Sequence, residues 1–136
     1  MVRLSFFSTW AISDGDAGYD QAVKAVATDS NGNVFISGAF KGNLPYLGLG
    51  DSTHNGALDG FVATILPDGS KKDCAHAYGD ANGAQSVSML SVPRTATTNK
   101  DAIFEAGAFT STITFGSTTL TQSGTATNSF VVRASK

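Results

Sequence analysis

DSNGNVFISGAF, residues 29–40, is the stretch on which the fold turns. A turn-forming cluster, Asp29-Ser30-Asn31-Gly32-Asn33, runs straight into an apolar stretch that ends in Gly38-Ala39-Phe40. The chain later writes NKDAIFEAGAF, residues 99–109, and Gly-Ala-Phe returns. An Asn-Gly pair tolerates the positive φ that two-residue hairpin turns need. Val, Ile and Phe favour a pleated, half-buried surface. A hairpin turn followed by a strand is therefore expected here. Pro67-Asp68-Gly69 predicts a second hairpin, with Pro presetting φ and Gly allowing the chain to bend back.

Strand signals of this kind recur along the whole chain, whereas no long window holds a 3.6-residue apolar period. Strands are expected at residues 3–12, 22–28, 34–40, 60–66, 72–78, 85–92, 102–109 and 129–134. A long hairpin loop with a short extra strand at 118–121 is expected within 110–127. Hydrophobic residues make up 41% of the 136, enough for a core, while charged residues are only 15%, below the roughly 25% of a typical soluble domain. Ser, Thr, Asn and Gly supply the remaining polarity, which suits turn-rich β-structure with a neutral surface.

Charge excludes some classes of function. The net charge is −2, and Lys71-Lys72 is the only pair of adjacent cations. Nucleic-acid binding calls for a clustered Lys/Arg stripe, so no nucleic-acid partner is expected. No apolar run approaches the ~18 residues of a membrane span. MVRLSFFSTW at the N-terminus lacks the long apolar core and cleavage site of a signal peptide. Cys74 is alone, which rules out an intrachain disulfide and reads as a packed thiol. Cys74-Ala75-His76 is too small a cluster for a zinc site.

Internal spacing suggests a repeat. Gly38 and Gly107, Phe40 and Phe109, and Phe61 and Phe130 each lie 69 positions apart, while Gly15-Asp16-Ala17 and Gly79-Asp80-Ala81 lie 64 apart. The difference falls in the loop PRTATTNK, residues 93–100. Two units of about 65–70 residues are expected, longer than WD40 or kelch repeats. Four strands between 22 and 78 read as one blade of a β-propeller. The expected division is a closure strand at 1–12, one blade at 13–78, and a second blade at 79–136 that lacks its outer strand.

At Asp29, Gly32, Asn33, Val34, Phe35, Gly38, Asp59, Phe61, Val62, Asp68 and Gly69 the chain resembles the bacterial-type, seven-bladed β-propeller repeat family. The second unit departs from that pattern: no Gly-Asn turn precedes Ile103, Asn128 stands where the first unit has Asp59, and no Asp-Gly follows Val132. The resemblance implies an all-β propeller scaffold, usual in secreted or cell-surface proteins, with no shared catalytic set. Two blades would expose terminal sheet faces. The expected completion is either further blades of a longer chain or a ring of copies, with the N-terminal strand of one copy closing the next.

Candidate chemistry is sparse. Asp14, Asp16 and Asp20 place three carboxylates within seven residues, a calcium reading by residue type. The alternative is an acidic loop between blades, and the second unit keeps only Asp80, opposite Asp16. Residues 29–33 imitate an EF-hand loop poorly, because Gly comes fourth and position twelve is Phe40. Gly50-Asp51-Ser52 with His54 has the residue types of a hydrolase, but no helix follows Ser52 as a nucleophile elbow requires. Trp10, Tyr19, Tyr46 and Tyr78 are the aromatics suited to sugar stacking. No catalytic residue, metal ligand or cofactor is assigned. The expected function is a non-catalytic propeller module for protein binding, adhesion or assembly, working with a protein partner or further copies of itself. A lectin-like carbohydrate binder is the alternative.

Overall fold

Apolar runs bounded by Gly, Asn, Asp or Pro become strands, and the turns between them are set by Asp side chains and positive-φ glycines. The computed structural model describes residues 9–50, 57–80, 82–93 and 102–135. Strands β1 (Gln21–Thr28), β2 (Val34–Phe40), β3 (Asp59–Ile65) and β4 (Lys71–Tyr78) form an antiparallel meander, sheet I. Strands β5 (Gln85–Ser91), β6 (Ala102–Phe109) and β9 (Asn128–Ser135) form sheet II. Between β6 and β9 the chain makes a separate hairpin, β7 (Thr112–Phe115) with β8 (Thr118–Thr121).

Both expected hairpin turns are present, one residue longer than a two-residue loop. Asp29 N donates to Asn33 O at 3.1 Å and Gly32 N to Asp29 O at 3.3 Å, with Gly32 at φ 80°. Leu66 N donates to Ser70 O at 2.8 Å and Gly69 N to Leu66 O at 2.9 Å, with Gly69 at φ 88°. This is the three-residue loop in which a turn is followed by a left-handed residue. The Asp29 carboxylate accepts from Asn31 N and Asn33 N, holding the turn from inside. That accounts for the EF-hand imitation without a metal.

The propeller expectation is overturned. Among the described residues there are nine strands in three open sheets of four, three and two, and none closes into a circular arrangement. The resemblance to the seven-bladed repeat family, the blade architecture and the blade-completing N-terminal strand all fall with it. Residues 3–8 of the expected first strand lie outside the described residues, and residues 9–12 are not in a strand. The physical source of the misleading echo is local. A Cβ on Gly38 would stand 1.9 Å from Ala22 O and 2.9 Å from the Phe61 ring. A Cβ on Gly107 would stand 1.9 Å from Ser86 O and 2.9 Å from the Phe130 ring. In each sheet the neighbouring strand is irregular at this point, between Val23 and Ala25 in β1 and between Val87 and Met89 in β5. A bulge pushes one carbonyl inward, and only glycine leaves room for it and for the facing Phe. Gly-Ala-Phe therefore records how three adjacent strands pack, and carries no instruction for closing a ring.

Sheets I and II meet face to face, with β5 lying against β1, β2 and β3. Val62 from sheet I packs with Val87, Phe109, Ile113 and Phe130. Phe35 packs with Val92 and Ile103. Phe115 on the hairpin joins this core, its ring 4.8 Å from Tyr78 and 5.0 Å from Phe130. A second cluster lies on the opposite side of sheet I: Phe40, Leu44, Leu47, Phe61, Ala63 and Ile65, with Phe40 and Phe61 edge to face at 5.9 Å.

Candidate functional site

Strand alternation gives sheet I two apolar faces. Phe35, Ala39 and Val62 turn toward sheet II, whereas Val23, Val26, Val34, Ile36 and Phe61 turn the other way. The second face is only partly covered, by the loop that follows β2 and by the segment ahead of β1. Between them runs a groove of about 340 Å³, walled by Trp10, Ile12, Val23, Val34, Ile36, Leu44, Leu47 and Ile65. Trp10 is fixed at its rim, donating from Nε1 to Pro67 O at 3.0 Å. Its ring lies against Gly69, at a spot where a Cβ would sit 2.8 Å from Trp10 Cγ.

The acidic loop builds the groove wall. Asp14 accepts from Tyr46 N and Leu47 N, both at 2.9 Å, and so caps the turn closed by the Leu44–Leu49 backbone pair. Asp16 accepts from Asn43 N at 3.0 Å, Asn43 Nδ2 at 2.9 Å and Gln21 Nε2 at 3.1 Å. Asp20 is exposed, and its carbonyl takes the Lys41 N–H. Asp80 does on sheet II what Asp16 does on sheet I, accepting from Asn82 N, Gly83 N, Thr112 N and the Thr112 hydroxyl. Burial raises the Asp80 pKa, but these hydrogen bonds outweigh it and hold the carboxyl below the usual carboxylate range. Among the described residues no group of three or more His, Cys, Asp or Glu is placed to hold a metal ion.

Other candidates disperse. Asp51, Ser52 and His54 lie outside the described residues. Cys74 is a free, half-buried thiol on β4. The four aromatics do not share a face. Trp10 lines the groove, and Tyr46 borders the core cluster with its hydroxyl on Gly69 O. Tyr19 is exposed, with Lys41 Nζ 5.3 Å from its ring centre. Tyr78 lies between the sheets, donating to Glu105 Oε1 at 3.4 Å. Glu105 is buried in the contact between the sheets, and Oε2 has no hydrogen-bond partner among the described residues. Burial pushes the Glu105 carboxyl up to about 7, with the Tyr78 hydroxyl pulling the other way. Burial first, and then the charge of Glu105, push the Tyr78 hydroxyl above its ordinary range. His76 and Tyr78 also border a second opening of about 500 Å³, between the hairpin and the edge strand β9.

The residues that sequence reasoning missed are apolar ones on the outer faces. Val23 is 60% exposed, while Val87, which faces Gly107 as Val23 faces Gly38, is 0% exposed. Val62 is 6% exposed and Val131, the residue after the matching Phe, is 79%. Phe35 is 2% exposed and Phe104, three residues before the matching Gly, is 37%. The available signal was the absence of a polar face. VFISGAF in β2 and Phe130-Val131-Val132 in β9 carry apolar side chains on both sides, the pattern of strands covered twice.

Comparison of the chain with protein-family models, with curated proteins and with solved structures finds no match in any of the three. The open sheets also remove the support for a propeller-based binding or lectin function. No helix among the described residues is long and apolar enough to cross a membrane.

Proposed function

We propose that the chain is a protein-binding module whose groove on sheet I receives an apolar sheet face of its partner. One observation carries the reading. The face that sheet II presents to sheet I is buried, whereas the face of sheet I in the same register is covered over Phe40, Phe61 and Ile65 but left open along β1, with Val23 exposed where Val87 is covered. Exposed apolar surface that is contiguous and rimmed by polar residues marks an interaction site. Asp14 and Asp16 keep the wall in place without a partner, so little ordering cost falls on binding.

Trp10 is the single tryptophan and lines the groove, which makes it a built-in reporter. The test selects binders to the whole domain from a library of β-sandwich domains with one randomised sheet face, with no choice of epitope. The expected binders shift Trp10 emission to shorter wavelength and lose affinity at least tenfold against Val23→Asp and Ile36→Asp. Binders that gather elsewhere and leave Trp10 emission unchanged would contradict the reading.

A further inference from the structure

We infer that the partner face is supplied by a second copy of this chain: the outer face of sheet II in one copy seats in the sheet I groove of the next. The inference rests on the groove reading above and names its occupant. Inside the molecule, Val62 of sheet I packs on Val87 and Phe130 of sheet II, and Phe35 on Val92 and Ile103. Sheet II carries Phe104 and Val131 at the same two register positions, outward and exposed. Sheet I holds Val23, Gly38 and Phe61 in the register of Val87, Gly107 and Phe130. Phe61 is already packed under Leu44 and Leu47, and Val23, beside the groove, is the position left exposed for a partner. A second copy would therefore extend, between molecules, the contact that already holds the two sheets together.

Charge agrees with this pairing. Among the described residues, the one ionisable side chain lining the groove is Asp14. Strand alternation puts one ionisable side chain, Arg133, on the outer face of sheet II among its described residues. The two have opposite sign. Of the other ionisable side chains that alternation puts on this face of sheet I, Asp59 is buried and Lys71 donates to Leu47 O at 3.3 Å, outside the groove lining. Because the joined faces differ, the contact is head to tail. Each added copy leaves one groove and one outer face open, so size grows with concentration.

The experiment is sedimentation velocity over a concentration series of the whole chain. The wild type is expected to rise from the 14.0 kDa monomer through dimer to larger species. Val23→Asp and Val131→Asp, both at exposed positions, should each stay monomeric at every concentration. Their equimolar mixture should form a one-to-one dimer and stop there, because only one groove and one outer face remain intact. A wild type that stays monomeric to its solubility limit overturns the inference, as do single variants that associate like wild type. Binders selected as above that still require Val23 and Ile36 would, in that event, leave the groove reading standing with a different partner.

Discussion

Gly38 and Gly107 are held by space and not by dihedral angle. In each, a backbone carbonyl and a Phe ring occupy the place of a Cβ, and the carbonyl belongs to a neighbouring strand that cannot rotate away. Overpacking of this kind costs about 1–3 kcal/mol, and backbone has less room to yield than a side chain. Gly107→Ala should lower unfolding stability by about 2–3 kcal/mol in urea titrations. A variant within error of wild type would show that the bulge relaxes freely. Asp16 acts through hydrogen bonds to a loop that lies 27 positions along the chain. Removing a buried or half-buried acceptor leaves its donors unpaired, at about 1–3 kcal/mol. Asp16→Ala is expected to lower the melting temperature equally with and without millimolar calcium, and calcium should leave the wild type unshifted. A calcium-dependent rise would restore the metal reading. Residue type suggested ligands at Asp14, Asp16 and Asp20, but Asp14 is occupied by two backbone N–H groups and Asp16 by the Asn43 backbone and the Asn43 and Gln21 side-chain amides, partners that local spacing does not display.

Strands were the most legible feature, because turn residues and β-branched runs act locally. β2, β6 and the β8 strand at 118–121 fall where they were expected, the boundaries of β1, β3, β4, β5 and β9 move by one residue, and the described part of the expected strand at 3–12 is not in a strand. β7 was hidden inside a Thr- and Ser-rich loop, since Thr112–Phe115 offers only Ile113 and Phe115 as core residues. Glu105 was also invisible: within AIFEAGAF it resembles an outward polar position, yet it lies at 2% exposure in the contact between the sheets. Its pH dependence follows from its raised pKa. The folded state holds the proton up to about pH 7, while the unfolded chain releases it near 4.5. Between those values the folded state binds more protons, so the contribution of Glu105 is full below about pH 4.5 and is lost as pH rises through 7. Glu105→Gln should therefore raise stability at pH 8 by about 2–3 kcal/mol and flatten the fall between pH 5 and 8. Unfolding free energies measured across that range check it, and an unchanged pH profile would place the charge elsewhere.

Closure of the whole molecule is what the sequence left out. Whether strands form one ring or several open sheets depends on which edges pair, and the apolar pattern is the same in both cases. Gly-Ala-Phe followed by Phe-Val specifies three strands and two faces, and the stacking of sheet I on sheet II uses only one face of each. The outer face of sheet II and the part of sheet I's far face that the loop after β2 leaves uncovered are the consequence, and the proposed partner surfaces follow from them. The difference between a covered and an open face is sharpest at Val87 and Val23. They occupy the same register against Gly107 and Gly38, and their exposures are 0% and 60%. Burying an unpaired charge costs about 3–5 kcal/mol, whereas a surface substitution usually stays within about 0.5 kcal/mol. The most direct measurement is the unfolding free energy of Val87→Asp beside Val23→Asp, in dilute protein so that self-association does not contribute. Val87→Asp should lose at least about 3 kcal/mol while Val23→Asp stays within about 0.5 kcal/mol of wild type. Equal losses at the two positions would mean that the sheet I face is already covered, and would contradict both the open groove and the association built on it.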